Sequence, residues 1–362
     1  MWVKMFKTLK KLKDTERLSL LLHPLVIGNS ILRNLEKKYK RVYMLSRPNE
    51  ISIELNNLCN FNCIQCLRSN TRRKYKYGRI SFEDFKKIFD QFKYITGIAL
   101  DGFGEPFLYK DLFEIIKYIK IKKRYCYVLL FTNGDLINKD ICKKLIEHKV
   151  SEVNISLDAT TEESYKKIRR GGNLKKVLTN IRTLIDMKKK MNSKLPLVGI
   201  NFILMNENEG ELKNFIKLAE DLKVDHIASI RVAMLNWGYK NKRSVESFIK
   251  ELKEAKKVLN KTKIKCYEDL IYKPESLYDF TKIDYYCPFL WGDIFQVTFS
   301  GDVTLGCCTP FKEQYSYGNL LKTKLDKLWN NEKFLTNRLK AKKNISPNIV
   351  CEACVNYRRN FF

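Results

Sequence analysis

ISIELNNLCNFNCIQC, residues 51–66, runs from an alternating segment straight into a loop with three cysteines. In ISIEL (51–55) apolar and polar residues alternate with the two-residue period of a strand. The loop then places Cys59, Cys63 and Cys66 in a C-x3-C-x2-C arrangement. Three thiolates on so short a loop can hold three irons of a cubane cluster. The fourth iron then lacks a protein ligand, and an open coordination position is how metal sites leave room for chemistry. Taken alone, the spacing also suits a zinc knuckle or three unrelated buried cysteines.

Downstream of the loop, strand and helix patterns alternate. Strands are predicted at GIALDG (97–102), YCYVLLF (125–131), VNISLD (153–158), LVGINFIL (197–204) and HIASIRVA (226–233). Helices are predicted from Ser81, with Asp84 three residues on, and over 110–123, 139–148, 173–190 and 209–222. Six strands with helices between them predict an α/β fold, a partial (βα)6 TIM-like barrel with a parallel sheet. Ligands of such sheets sit at the carboxyl ends of the strands. The distinctive motifs fall at those ends: GFGEP (102–106), TNG (132–134), SLDA (156–159) and, just beyond, IRRGG (168–172).

The flanks differ from this core. Residues 1–45 are basic and helical in pattern, with Trp2, Met5, Phe6, Leu9 and Leu12 on one face among lysines. A helix packed on the domain is expected there in preference to one lying on an anionic membrane. After about residue 240 a helix near 244–259 leads to a cysteine-bearing tail. Within it, FQVTFSGDVTLGCC (295–308) reads as a β-hairpin turning at Ser300-Gly301. The expected division is a basic helical segment over 1–45, a core over 46–240 and a small cysteine-rich α+β domain over 241–362.

In order and position, the cysteine loop and the four strand-end motifs resemble those of the radical SAM family, over roughly residues 50–235. The resemblance implies that Cys59, Cys63 and Cys66 ligate a [4Fe–4S] cluster and that S-adenosylmethionine (SAM) chelates its open iron. An electron passed into the sulfonium then yields a 5′-deoxyadenosyl radical, which abstracts hydrogen from a substrate. Gly104, Glu105 and Pro106 are implied to receive the SAM ammonium, with Thr132 and Asn133 lining the same site. Ser156 and Asp158 are implied to bind ribose hydroxyls, and Arg169, with Arg170 as the alternative, the carboxylate. A guanidinium suits that role because its fork pairs both oxygens. Read without the resemblance, Glu105 could be an exposed turn acid, TNG is only a turn signal, and the arginines are part of a basic surface. Two positions depart from the family pattern. Gln65 stands where an aromatic usually precedes the third cysteine, and Phe103 replaces the first glycine of a Gly-Gly-Glu segment.

The tail carries Cys287, then Gly301-Asp302, Cys307-Cys308, Gly318-Asn319, Trp329 and the pair Cys351 and Cys354. This order resembles the shortened, twitch-like form of the SPASM extension. The implied ligands of an auxiliary [4Fe–4S] cluster are Cys287, Cys307, Cys351 and Cys354, with the choice between Cys307 and Cys308 open. The same four thiolates would also suit zinc. Cys126, Cys142 and Cys266 read as buried small hydrophobes, and His23, His148 and His226 have no metal-ligand spacing.

The 362 residues are 44% apolar and 30% charged, with a formal net charge of +29. Such a charge attracts nucleic acid, anionic membranes, acidic substrates or acidic redox proteins, a flavodoxin or ferredoxin electron donor fitting the last class; lysines scattered over solvated helix faces account for it equally well. The N-terminal stretch mixes charge into every turn and shows no apolar signal-peptide core, so a reducing, cytoplasmic setting is expected and clustered cysteines read as metal ligands. The function expected is SAM cleavage followed by an oxidative modification of a peptide, protein or sugar-like small molecule. The alternative is a zinc-structured, basic nucleic-acid-binding protein, which leaves the strand-end motifs without a purpose.

Overall fold

The alternating segments become strands β1 (Glu50–Ile53), β2 (Gly97–Leu100), β3 (Tyr127–Thr132), β4 (Glu152–Ser156), β5 (Leu197–Leu204) and β6 (His226–Val232), each paired in parallel with the next. The computed structural model describes residues 23–70, 77–232, 239, 242–267, 287, 289–304 and 316–346. Cys307, Cys308, Cys351 and Cys354 lie outside the described residues, as does the amphipathic stretch 1–22. Between the strands run helices α2 (Leu67–Asn70), α3 (Phe82–Phe89), α4 (Leu112–Lys122), α5 (Lys139–Glu147), α6 (Glu162–Ile168), α7 (Leu174–Lys190) and α8 (Leu212–Asp221). Several begin on a side-chain cap that satisfies an otherwise unpaired amide. Ser81 accepts from Asp84 N, Asn138 from Ile141 N and Asn173 from Lys176 N.

Strand periodicity sorts the two faces of the sheet. Ile51, Ile98, Val128, Val153, Val198 and Ile227 join the apolar faces of the helices in one large buried cluster. The opposite face is concave and mostly polar, with Ser52, Glu152, Asn154, Asn201 and Ser229 buried on it. These groups pair with one another. Ser229 donates to Asn201 at 2.8 Å, Ser52 donates to Asp101, and Glu152 accepts from Tyr127 and lies 2.8 Å from His226 Nε2.

At the amino ends of the strands this concave face is closed by helix α1 (Pro24–Lys38). Val26 packs with Tyr125 and Tyr127 there, and Ser30 accepts a hydrogen bond from Asn49.

Among the described residues the tail strands join the core sheet. After α9 (Val245–Leu259) and the short β7 (Lys265–Cys266), which pairs with β6, the strand β8 (Phe295–Val297) lies parallel beside β1. The predicted hairpin is present: β9 (Val303–Thr304) returns antiparallel to β8, and Gly301 takes a φ of +84° in the turn. Among the described residues the sheet therefore has nine strands in the order β7-β6-β5-β4-β3-β2-β1-β8-β9.

Helices α10 (Leu325–Leu328) and α11 (Glu332–Lys342) fasten the tail. Trp329 is fully buried, donates to Ser46 O at 2.8 Å, and has the Arg338 guanidinium 4.1 Å above its ring. No helix among the described residues is long and apolar enough to cross a membrane.

Candidate active site at the carboxyl ends of the strands

The cysteine loop leaves β1 through Asn56, Asn57 and Leu58, and two other loops hold it in place. Glu105 N donates to Leu58 O at 2.7 Å, so GFGEP is tied to the root of the loop. Gly104 is required at that crossing, because a Cβ there would overlap the Asn56 carbonyl. On the other side, IRRGG runs along the loop itself. Asn62 N donates to Arg170 O and Ile64 N to Ile168 O. Gly172 leaves room for the Phe61 ring, which a Cβ would strike.

Cys59, Cys63 and Cys66 are unpaired thiols close enough to perturb one another electrostatically. Burial pushes the Cys63 thiol up to about 11 and raises Cys59 as well. Coordination to a metal would deprotonate them. Two sulfurs already receive hydrogen bonds, Cys63 from Arg169 Nη1 at 3.8 Å and Cys59 from Asn133 Nδ2 at 3.9 Å. Among the described residues no three His, Cys, Asp or Glu side chains converge on a single ion. A cubane asks for something different, thiolates that each take a separate iron. Arg169 Nε and Gln65 Oε1 are buried at the loop with no hydrogen-bond partner, polar atoms left available to a bound group. The donor set and these two atoms fit an iron–sulfur cluster with a polar cofactor beside it.

The strand-end residues converge on the same loop. Glu105 is 2% exposed and accepts from Thr132 Oγ1 at 2.6 Å and Asn133 N at 2.9 Å. It is thus a buried acid and not an exposed turn residue, and burial pushes its carboxyl up to about 7. Asn133 Nδ2 also donates to Asn60 Oδ1 at 2.8 Å, fastening TNG to the cysteine loop. Pro106 opens a 3-10 turn behind Glu105, and Ser156 is half-buried at the end of β4.

Asp158 is fully buried with a φ of +59°, a left-handed conformation. It pairs with the Arg169 guanidinium and also accepts from Ile203 N and Gln65 Nε2, both at 2.9 Å. Burial raises its carboxyl and Arg169 opposes the rise. Arg169 therefore bridges Cys63 and Asp158, while the Arg170 side chain is exposed.

Sequence reasoning missed three participants. Gln65, the departure from the usual aromatic, is a hydrogen-bond donor to Asp158. Asp101, one residue before GFGEP, accepts from Ser52; its place next to a motif was the available signal. Glu54 is 1% exposed and accepts from Phe103 N at 2.9 Å, while its own amide donates to Val297 O in β8. It touches both the GFGEP loop and the tail strand. Of the tail cysteines, Cys287 is described and is half-buried against the core.

A thiol-bearing loop and buried polar anchors, all at the carboxyl ends of a parallel half-barrel, define an enzyme that holds a cluster and a polar cofactor at the barrel mouth. Residues 53–219 match the radical SAM superfamily, and residues 287–355 match the iron–sulfur cluster-binding SPASM domain. A protein of Saccharolobus islandicus named probable GTP 3′,8-cyclase is 30% identical over 223 residues, 59% of this chain and 69% of the relative. One of the same name from Methanocaldococcus jannaschii is 30% identical over 219 residues, covering 58% and 68%.

Among solved structures, Streptococcus suis SuiB bound to S-adenosylmethionine superposes with a TM-score of 0.65 at 15% identity, covering 82% of this chain and 68% of that one. SuiB has also been solved with its precursor peptide SuiA. Hexahistidine-tagged anSMEcpe with bound AdoMet gives a TM-score of 0.60 at 18% identity, covering 87% of this chain and 93% of that one. The chain belongs to the radical SAM superfamily and carries a C-terminal SPASM domain, which together imply SAM and [4Fe–4S] clusters as its cofactors. The zinc-structured nucleic-acid-binding alternative is not favoured.

Proposed function

We propose that this enzyme oxidises a peptide or protein substrate, with a sugar-like small molecule as the second choice. The observation that carries the reading is the attachment of the SPASM region. Its strand β8 pairs with β1, the strand that leads into the cysteine loop, so the two cysteine-bearing regions share one sheet. The peptide bound to SuiB is the ground for placing a peptide first.

In this reading Cys59, Cys63 and Cys66 hold the first cluster, and Cys287, Cys307, Cys351 and Cys354 the auxiliary one. When bound, the first cluster and SAM supply a 5′-deoxyadenosyl radical that takes a hydrogen atom from the substrate. Gly104, Glu105, Pro106, Thr132, Asn133 and Ser156 line the SAM site, and Glu105 keeps a buried acceptor there for the ammonium. Arg169 and Asp158 act as a pair that positions Cys63 and offers Nε to the cofactor. An acidic flavodoxin or ferredoxin supplies the electron.

Overall the substrate would lose two hydrogens, one as an atom to the deoxyadenosyl group and one as a proton to solvent with an electron, which an auxiliary cluster held by the tail cysteines would accept. The test combines three measurements on anaerobically purified protein. Replacing Cys59, Cys63 and Cys66 with Ala abolishes 5′-deoxyadenosine formation. Replacing Cys351 and Cys354 lowers iron from about eight to about four per chain, spares SAM cleavage and stops substrate conversion. The product is lighter by two hydrogens. Full iron in the double variant defeats the auxiliary cluster, and a product of unchanged mass makes the reaction a redox-neutral rearrangement instead of an oxidation.

A further inference from the structure

Helix α1 faces the barrel with its polar side. Asn29, Arg33 and Glu36 are buried, each with partners: Asn29 on the Arg47 backbone, Arg33 on Gly292 O and Asp293, and Glu36 on Leu45 N and Ser46. The apolar side is turned outward. Leu25 is 74% exposed, Ile31 57% and Leu35 49%, and Leu32 and Tyr39 continue the same stripe. Past the helix end Tyr43 and Leu45 are exposed as well. Gly28 lies within the stripe with open space where a Cβ would stand.

Cations border the helical stripe; past its end the exposed Asp326 pairs with Arg47, whose guanidinium donates to Leu45 O. Lys38 and Arg41 are exposed beside it, and Glu36, the one carboxylate between residues 23 and 45, is buried. In the preceding 22 residues Trp2, Phe6, Leu9 and Leu12 are set among Lys4, Lys7, Lys10, Lys11 and Lys13, with Asp14 and Glu16 the two acids. A contiguous exposed apolar patch marks an interaction site. An apolar helical face edged with Lys and Tyr is the chemistry that enters the headgroup region of an anionic bilayer. The whole chain's charge of +29 has the matching sign.

We propose that the protein docks on an anionic lipid bilayer through the outer stripe of α1. Because α1 closes the amino ends of the strands, the barrel mouth with its cysteine loop then faces away from the lipid. Substrate and electron donor reach the mouth from the aqueous side.

The experiment is co-sedimentation of the intact protein with vesicles of phosphatidylglycerol and phosphatidylcholine, against phosphatidylcholine alone. Binding is expected to the anionic vesicles only and to weaken with salt. The double substitution Leu32→Asp with Leu35→Asp should lower the bound fraction about tenfold or more, with unchanged melting and unchanged 5′-deoxyadenosine formation in lipid-free buffer. Leu25→Asp, at the first and most exposed turn, is the second variant should the double substitution unfold the chain. Absence of wild-type binding, or equal binding by the variants, overturns the proposal. So does a lipid-free dimer that Leu25→Asp dissociates, which would assign the stripe to a second copy of the chain.

Discussion

Arg169 carries more of the site than its expected role required. It ties the Cys63 sulfur to a fully buried Asp158. Removing one partner of a buried pair leaves the other charge uncompensated, at a cost of about 3–5 kcal/mol. Arg169→Ala should therefore lower denaturant stability by that order and loosen cluster retention, both measurable before SAM binding is assayed. Lysine lacks the planar fork, so Arg169→Lys should recover only part of the loss.

Glu50 gives a pH signature. Burial pushes its carboxyl up to about 8 from an ordinary 4.5, with Arg33 opposing the rise and Asp293 adding to it. The folded state then binds more protons than the unfolded state between those values, so stability falls as pH rises through the window. Glu50→Gln should flatten the decline, read as urea midpoints at about pH 5 and about pH 8. Neither the Asp158–Arg169 pair nor the ionisation of Glu50 was legible in the sequence, because both depend on which distant loops close over a carboxylate. The residues themselves were legible at Asp158 and Arg169, since a motif at a strand end already marks a position near ligand.

Helices and strands were legible where a local pattern sufficed. The six core strands are short apolar or alternating runs set between helical patterns, and α3 starts at Ser81, whose hydroxyl takes the Asp84 amide. Helix α6 was missed because seven residues are too few for a helical period to declare itself, although Thr161 caps it. Helix α1 shows a different limit. Periodicity identifies a two-faced helix but not which face turns inward, and here the inward face carries the buried Asn29, Arg33 and Glu36, each hydrogen-bonded to the core, and not the apolar stripe. The attachment of β8 to β1 was invisible for another reason, since pairing between strands so far apart leaves no local trace.

The tail helices lock that attachment. Trp329 packs against Phe295 of β8 with ring centroids 5.7 Å apart and is bonded to Ser46. Trp329→Ala should cost about 3–5 kcal/mol, measured by denaturant unfolding. If the tail and core unfold as one unit, the transition should stay single and shift as a whole.

Across the whole molecule, charge and sheet continuity set the remaining expectations. A surface of net charge +29 should steer an acidic electron donor, and screening weakens such steering. Turnover driven by flavodoxin should drop with ionic strength more steeply than turnover driven by dithionite. Equal slopes would remove the donor from the list of reasons for the charge. Sheet continuity bears on how the chain is made. Strand β1 leaves the ribosome ahead of its neighbour β8, which is translated only after the entire barrel. At roughly 5–20 residues per second the edge of β1 waits unpaired for on the order of tens of seconds. An open edge is a template for pairing with other chains, so the nascent barrel is expected to need chaperone shelter until the tail arrives. A gene fragment ending at residue 240 would hold that edge open permanently, and should yield aggregates in place of a smaller enzyme.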